Sequence, residues 1–210
     1  MTEKEIDIHY EVVGRIQAAG LDALKNALKR VRDLGEYGKL KDKMNRFGEQ
    51  GLRADYEAEE AVIKSLKEAG LPGTIISEEH GLIDLVENPT MLVVLDGIDG
   101  TAAYKKGGRC GPMLAIFSNT RRIIDEFTYD DCIFGGVADI KSGEITYAVK
   151  GQGSYILYEN GKTDYAHVST RTRLTNEVKI YIDGGENGMA VNDKVFTGPL
   201  ETIKFKTPPL

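Results

Sequence analysis

The chain has no tryptophan, only two cysteines and three histidines, six prolines in 210 residues, and no apolar run approaching the length of a membrane span. Each scarcity removes a class of answer. Cys110 and Cys132 have neither metal-ligand spacing nor the density of a disulfide framework, so they read as reduced thiols of a cytoplasmic protein. His9, His80 and His167 show no ligand spacing to one another, which argues against a nitrogen-held metal; His80 reads as an exposed neighbour of the glutamates before it. The start, MTEKEIDIHY, carries charge where a leader peptide needs an apolar run, so neither a leader nor a membrane partner is expected. With 27 basic against 33 acidic residues the net charge is -6, which disfavours a nucleic-acid polymer as partner. The lysine-rich run from Lys39 to Arg46 is broken by Asp42 and reads as a solvated face.

What is present falls into a helical third followed by strands. Leu21, Leu24, Leu28 and Val31 share one face of a helix over about residues 5 to 34. A loop carrying Gly35, Gly38, Gly48 and Gly51, with the composition of a mobile lid, leads to a second helix that opens near Asp55 and turns Ala58, Val62 and Leu66 inward. Gly70 and Pro72 end it. Then come TIIS, MLVVL, PMLAIF, CIFGGVADI, EITYAV and SYILY, short apolar or alternating runs that read as strands, with a hairpin turn at Lys141 to Gly143. The pattern predicts an α+β layered sandwich: a mainly antiparallel sheet covered by two N-terminal helices, occupying residues 1–162. Residues 163–210, with the short run VKIYID, read as the start of a second, partial α/β subdomain. The glycine-rich KGQGSY and GGENG lack a dinucleotide fingerprint, and Asp130, Asp131 and Asp139 read as turn and edge residues.

Chemistry concentrates in VVLDGIDGT. An apolar strand delivers Asp96 to its end, and a turn presents Asp99, Gly100 and Thr101. Asp-Gly pairs are also ordinary turn formers, so this stretch alone leaves function and plain turn both open. Glu78 and Glu79 follow another strand, and Asp55, which could be no more than a helix cap, opens the second helix. If these carboxylates converge, unit charges about 5 Å apart repel by roughly 3 kcal/mol at an effective dielectric of 20. Such a group calls for cations, and an all-oxygen donor set with room for water and phosphate suits magnesium better than zinc.

Asp55, then ISEE, then VVLDGIDGT resembles the inositol monophosphatase and fructose-1,6-bisphosphatase superfamily, whose motif has an aspartate at a helix start, a paired glutamate and a strand running into an Asp-Pro-Ile-Asp-Gly-Thr type turn. The likeness spans roughly residues 45 to 162 and includes PMLAIFS, GGVADIKSGEITYAVKGQGSY and the NGK that follows. The resemblance implies a magnesium-dependent phosphomonoesterase acting on a small phosphorylated sugar, inositol or nucleotide, and a homodimer. It assigns Glu78, Asp96 and the carbonyl of Ile98 to one magnesium, and Asp96 and Asp99 to a second. It gives Glu78 and Thr101 the attacking water, Asp55 the orientation of Thr101, and the amides of Gly100 and Thr101 the phosphate. Gly97 stands where the family has proline, and Ala102, Ala103 and Tyr104 depart from its pattern; these changes keep the ligands and are expected to loosen the turn. The family's further aspartate in a Trp-Asp motif has no counterpart, since Asp183 and Asp193 both read as loop residues. That gap keeps two alternatives open: a fragment of a longer enzyme, or an inactive or regulatory metal- and phosphate-binding domain. An aspartyl-nucleophile phosphatase of the haloacid dehalogenase type fits less well, because two residues rather than one separate Asp96 and Asp99.

Overall fold

Apolar residues at helical spacing build the first element. In α1 (Glu3–Leu34), Val13, Ile16, Leu24, Leu28 and Val31 are buried on one face, with Ala23 and Ala27 between them. The helix stops where Gly35 takes a left-handed backbone, φ 51°, and a short 3-10 turn, Gly35–Lys39, follows. The computed structural model describes residues 3–44, 48, 50–118, 127–168 and 170, with side chains from Glu11 onward. The chain divides into two units, Met1–Ala166 and His167–Leu210, and every helix and strand among the described residues belongs to the first. VKIYID, GGENG, Asp183 and Asp193 lie outside the described residues.

The segment expected to be a glycine-rich loop contains two short strands. β1 (Lys41–Met44) pairs antiparallel with β2 (Gln50–Leu52), Lys41 opposite Leu52. The amide of Arg53 donates to the Leu40 carbonyl at 2.8 Å, tying this ribbon to the next helix. Glycine count signals where a helix must break; it says little about whether the chain then pairs with itself. α2 (Arg53–Glu68) buries Ala54, Ala58, Val62 and Leu66 as the spacing predicts, and ends at Gly70, again left-handed at φ 66°.

Eight strands then form one sheet: β3 (Gly73–Ser77), β4 (Gly81–Asp84), β5 (Met91–Asp99), β6 (Gly111–Ser118), β7 (Cys132–Ala138), β8 (Ile145–Val149), β9 (Gly153–Leu157) and β10 (Thr163–Tyr165). Their order is β10-β9-β8-β7-β6-β5-β3-β4. Every neighbouring pair is antiparallel except β3 and β5, which run parallel. The hairpin at Lys141 to Gly143 joins β7 to β8, with the Gly143 amide donating to the Asp139 carbonyl at 2.8 Å. The protein is therefore α+β with a mainly antiparallel sheet, as the sequence pattern predicts. Edge strands β4 and β10 were not legible in it, and β10 carries the sheet three residues past position 162.

Helices α1 and α2 cover one face. Gly20 of α1 leaves room for the ring of Phe134 on β7, and Gly136 leaves room for Leu24; a Cβ at either glycine would overlap those side chains. The buried residues Val93, Leu95, Leu114, Ile116, Phe134, Ile145, Tyr147 and Val149 alternate along their strands to meet the helices. On the opposite face Val94, Met113 and Val137 are exposed. Among the described residues no helix is long and apolar enough to cross a membrane.

α2 lies directly on β5 at Gly97. This residue is buried, and a Cβ there would overlap the Asp55 carbonyl oxygen and crowd the Glu59 side chain at 3.0 Å. The expectation that glycine loosens this stretch is corrected: the position is a tight contact between strand and helix backbone. Gly97→Ala should therefore destabilise the protein by about 1–3 kcal/mol, the usual range for an added methyl group without space. Urea unfolding of the two proteins measures this, and equal midpoints would show that helix and strand part without strain.

Candidate active site

The parallel register of β3 and β5 sets Ser77 opposite Leu95, so the next residues, Glu78 and Asp96, leave neighbouring strands at the same end of the sheet. Beyond Asp96 the strand continues rather than turning. Asp96 faces Met113 and Asp99 faces Gly111 on β6, so three steps along β5 match two along its partner. This bulge resets the alternation that would send Asp96 and Asp99 to opposite faces. The turn begins one residue later, at Gly100, whose φ of 91° is a left-handed backbone suited to glycine. A short helix, α3 (Thr101–Lys105), follows.

The crowding of carboxylates is visible in their acidities. Asp96 is pushed up to about 7, first by burial and then by the charge of Glu78, with Asp99 and Asp55 adding to it. Its Oδ1 accepts from the Ile98 amide at 2.9 Å, which opposes the rise. Glu79 is also pushed up to about 7, by burial first and then by Asp55, Glu59 and Glu78. Asp99 stands exposed at the strand end.

Asp55 serves both of the roles read from the sequence. It sits in the first turn of α2, 5% exposed, and its Oδ2 accepts from the Leu52 amide at 3.1 Å, capping the helix start. Its Oδ1 accepts from the Thr101 hydroxyl at 3.1 Å. That hydroxyl also lies 3.3 Å from the Ile98 carbonyl, and with one proton to give it can serve only one acceptor at a time. Burial raises the pKa of Asp55, while the Leu52 amide and Thr101 hydroxyl hold it down. α3 is fastened from behind by Tyr104, whose hydroxyl reaches the Gly35 carbonyl at 3.4 Å.

Two participants were missed by sequence reasoning. Glu59, one helical turn beyond Asp55, is fully buried. It accepts from the Ser77 hydroxyl and from the amides of Glu78 and Glu79, the two amides each at 3.1 Å. His80, expected to be exposed, is the second: its Nδ1 lies 2.9 Å from Glu59 Oε2 and its ring stacks on Tyr56 with centroids 4.1 Å apart. The correction has a local cause, since the turn from β3 to β4 folds the imidazole back over α2. An i to i+4 acid pair on a helix resembles a solvated stripe, and only the pairing of Asp55 with a structural partner at each end could have hinted otherwise.

Other acids stay apart from this group. Asp139 pairs with Arg109 at 2.7 Å, and Asp131 caps Thr128 in a 3-10 turn, Tyr129–Asp131. Cys110 and Cys132 are both free, and burial pushes the Cys110 thiol up to about 11, well protonated at neutral pH. Among the described residues no three His, Cys, Asp or Glu side chains form a ready cage for one metal ion. The donor chemistry nonetheless suits a hard cation: every candidate is an oxygen, and repulsion among Asp96, Glu78 and Asp99 is the kind that a divalent ion relieves.

No family model matches the chain. A fructose-1,6-bisphosphatase/inositol-1-monophosphatase of Methanothermobacter thermautotrophicus is 29% identical over 160 residues, covering 73% of this chain and 55% of the relative. A bifunctional NADP phosphatase/NAD kinase of Methanococcus maripaludis is 28% identical over 152 residues, covering 68% of this chain and 27% of that protein. The chain thus spans about half the length of the first of these relatives and about a quarter of the second. The crystal structure of Leishmania major fructose-1,6-bisphosphatase shares the fold, with a TM-score of 0.66 and 17% identity over 92% of this chain and 65% of that one. The family that the sequence motif resembles is also the family of these neighbours: the chain's curated relatives and fold neighbours are members of the inositol monophosphatase and fructose-1,6-bisphosphatase superfamily.

Proposed function

We propose that this chain carries the metal-binding part of a magnesium-dependent phosphomonoesterase for a small phosphorylated sugar, inositol or nucleotide, acting in the cytoplasm as a homodimer. The observation that supports it most is the parallel pairing that sets Glu78 beside Asp96, next to the bonded trio of Asp55, Thr101 and Ile98. Both relatives have phosphatase in their names, which supports the same class of reaction.

In this reading Glu78, Asp96 and the Ile98 carbonyl would hold one cation, and Asp96 and Asp99 a second. Bound there, divalent ions supply positive charge against a phosphate and make a water more acidic. The chain's own groups do the rest. Asp55 accepts the Thr101 proton, so the Thr101 oxygen has lone pairs free to receive a hydrogen bond from the attacking water, with Glu78 as the second acceptor. The amides of Gly100 and Thr101, at the opening of α3, would receive the phosphate. Tyr104 and the 3-10 turn behind α3 keep those amides in place while the reaction proceeds.

A second reading, cation and phosphate binding without turnover, draws on the missing counterpart in this sequence of the family's further aspartate in a Trp-Asp motif. Phosphate release from a panel of small phosphomonoesters, with and without Mg2+, separates the two when measured on this chain and on any longer form its gene encodes. Release that needs Mg2+ and falls to background in Asp96→Asn is the expected result. Full activity in Asp96→Asn would remove the mechanism, and cation binding with no release from any form would favour the second reading.

A pH dependence follows from the raised acids. Asp96 and Glu79 titrate near 7 in the folded chain, against about 4 for an unfolded carboxylate. Between those values the folded state holds protons that the unfolded state has released, so stability without metal falls as pH rises from about 4 to about 7. Cations favour the ionised groups. Mg2+ should therefore raise the melting temperature more at about pH 8 than at about pH 5, and a shift of equal size at both would contradict a carboxylate site.

A further inference from the structure

Glu59 plays no part in the chemistry described above, yet among the described residues it is the most enclosed acid, with a fully buried side chain on α2. Its contacts converge on one short segment, the turn from Ser77 to His80 that links β3 to β4. Oε1 accepts from the Glu78 amide at 3.1 Å. Oε2 accepts from the Glu79 amide at 3.1 Å and from the Ser77 hydroxyl, and lies 2.9 Å from His80 Nδ1. The Ser77 oxygen in turn accepts from the His80 amide at 2.9 Å, which closes the turn upon itself. His80 is held on its other side by Tyr56, and Tyr56 carries the Lys43 ammonium 4.2 Å above its ring.

An acid enclosed in this way is costly to bury unless its lone pairs are filled, and here they are filled almost wholly by one four-residue turn. A hairpin between two short strands can close with backbone bonds alone. This one also takes a carboxylate from the preceding helix, and in doing so fixes the backbone at residue 78. The Glu78 amide is held by α2, while the charge of its carboxylate is close enough to raise Asp96.

Resting on the phosphatase reading above, we propose that Glu59 is a positioning residue: it clamps the Ser77 to His80 turn so that Glu78 is presented, already oriented, to the cation shared with Asp96. Glutamine at 59 can still accept from one amide, but its NH2 end meets the Ser77 hydroxyl and His80 without the charge that gathers them. The loss would appear first in metal affinity, since an outer partner that orients a ligand typically governs about 10–100-fold in binding.

Calorimetric titration of Mg2+ into the metal-free chain at about pH 8 tests this, on wild type, Asp96→Asn, Glu59→Gln, Ser77→Ala and Val62→Ala. Val62 is a fully buried residue of the same helix with no polar contact, so Val62→Ala reports what loss of stability alone does to the titration. The expected result is a Kd for Mg2+ raised about tenfold or more in Glu59→Gln and by a smaller factor in Ser77→Ala, with helical circular dichroism retained. Val62→Ala should melt earlier yet bind as wild type does. A folded Glu59→Gln with wild-type affinity overturns the proposal; should Glu59→Gln fail to fold, wild-type affinity in Ser77→Ala overturns it instead. A Val62→Ala that loses affinity as much as Glu59→Gln also overturns it, because general loosening would then suffice. Wild type binding no Mg2+ would instead defeat the phosphatase reading itself, an outcome distinct from intact binding in the Glu59 and Ser77 variants.

Discussion

Strands β3 and β5 run in the same direction although every other neighbouring pair in the sheet alternates. The chain achieves this by sending β4 back along the outer edge and returning beneath the start of β3, where the Thr90 and Met91 amides both donate to the Pro72 carbonyl, at 2.8 and 3.0 Å. Both strands are thereby pinned at their beginnings, and equal numbers of steps bring Ser77 and Leu95 level at their far ends. An antiparallel arrangement would have put Glu78 and Asp96 at opposite ends of the sheet. The site depends on this one pairing more than on any single contact between side chains.

What the pairing creates is an electrostatic debt of position: acids brought together before anything neutralises them. Burial and neighbouring like charges push Asp96 and Glu79 up to about 7, so near neutral pH this group of acids holds part of its charge as protons. Glu59 shows the contrast. It is more deeply buried than either, yet five donor contacts surround it, from Ser77, Glu78, Glu79 and His80. Donors converge on Glu59, whereas like charges converge on Asp96 and Glu79.

Much of the fold could be read directly. Ala58, Val62 and Leu66 announce α2 by their spacing, and MLVVL announces a strand by its unbroken apolar run, although only one of its faces is covered and Val94 on the other is exposed. The candidate carboxylates Glu78 and Asp96 stood out equally, as each follows an apolar run. What escaped notice did so for physical reasons. GLID and TDY are too short and polar to rise above a loop, because an edge strand relies on its partner's backbone. Gly97 looked like slack since a missing side chain carries no mark of what lies above it, and here that is the Asp55 carbonyl. Glu59 drew no reading because charge on a helix usually faces water, and His80 looked like an exposed neighbour of the glutamates. Their contact follows from the turn between β3 and β4 folding back over α2, a relation that periodicity in one segment cannot express.

Helix α2 touches the site twice, at residues one turn apart. Asp55 grips the loop that opens α3, and Glu59 grips the turn that ends β3, while the backbone between them rests on Gly97. Two loops bolted to one rod cannot drift independently. Whatever freedom the active region has is the freedom of that rod to rock against the sheet, so its geometry should vary along a single coordinate rather than loop by loop.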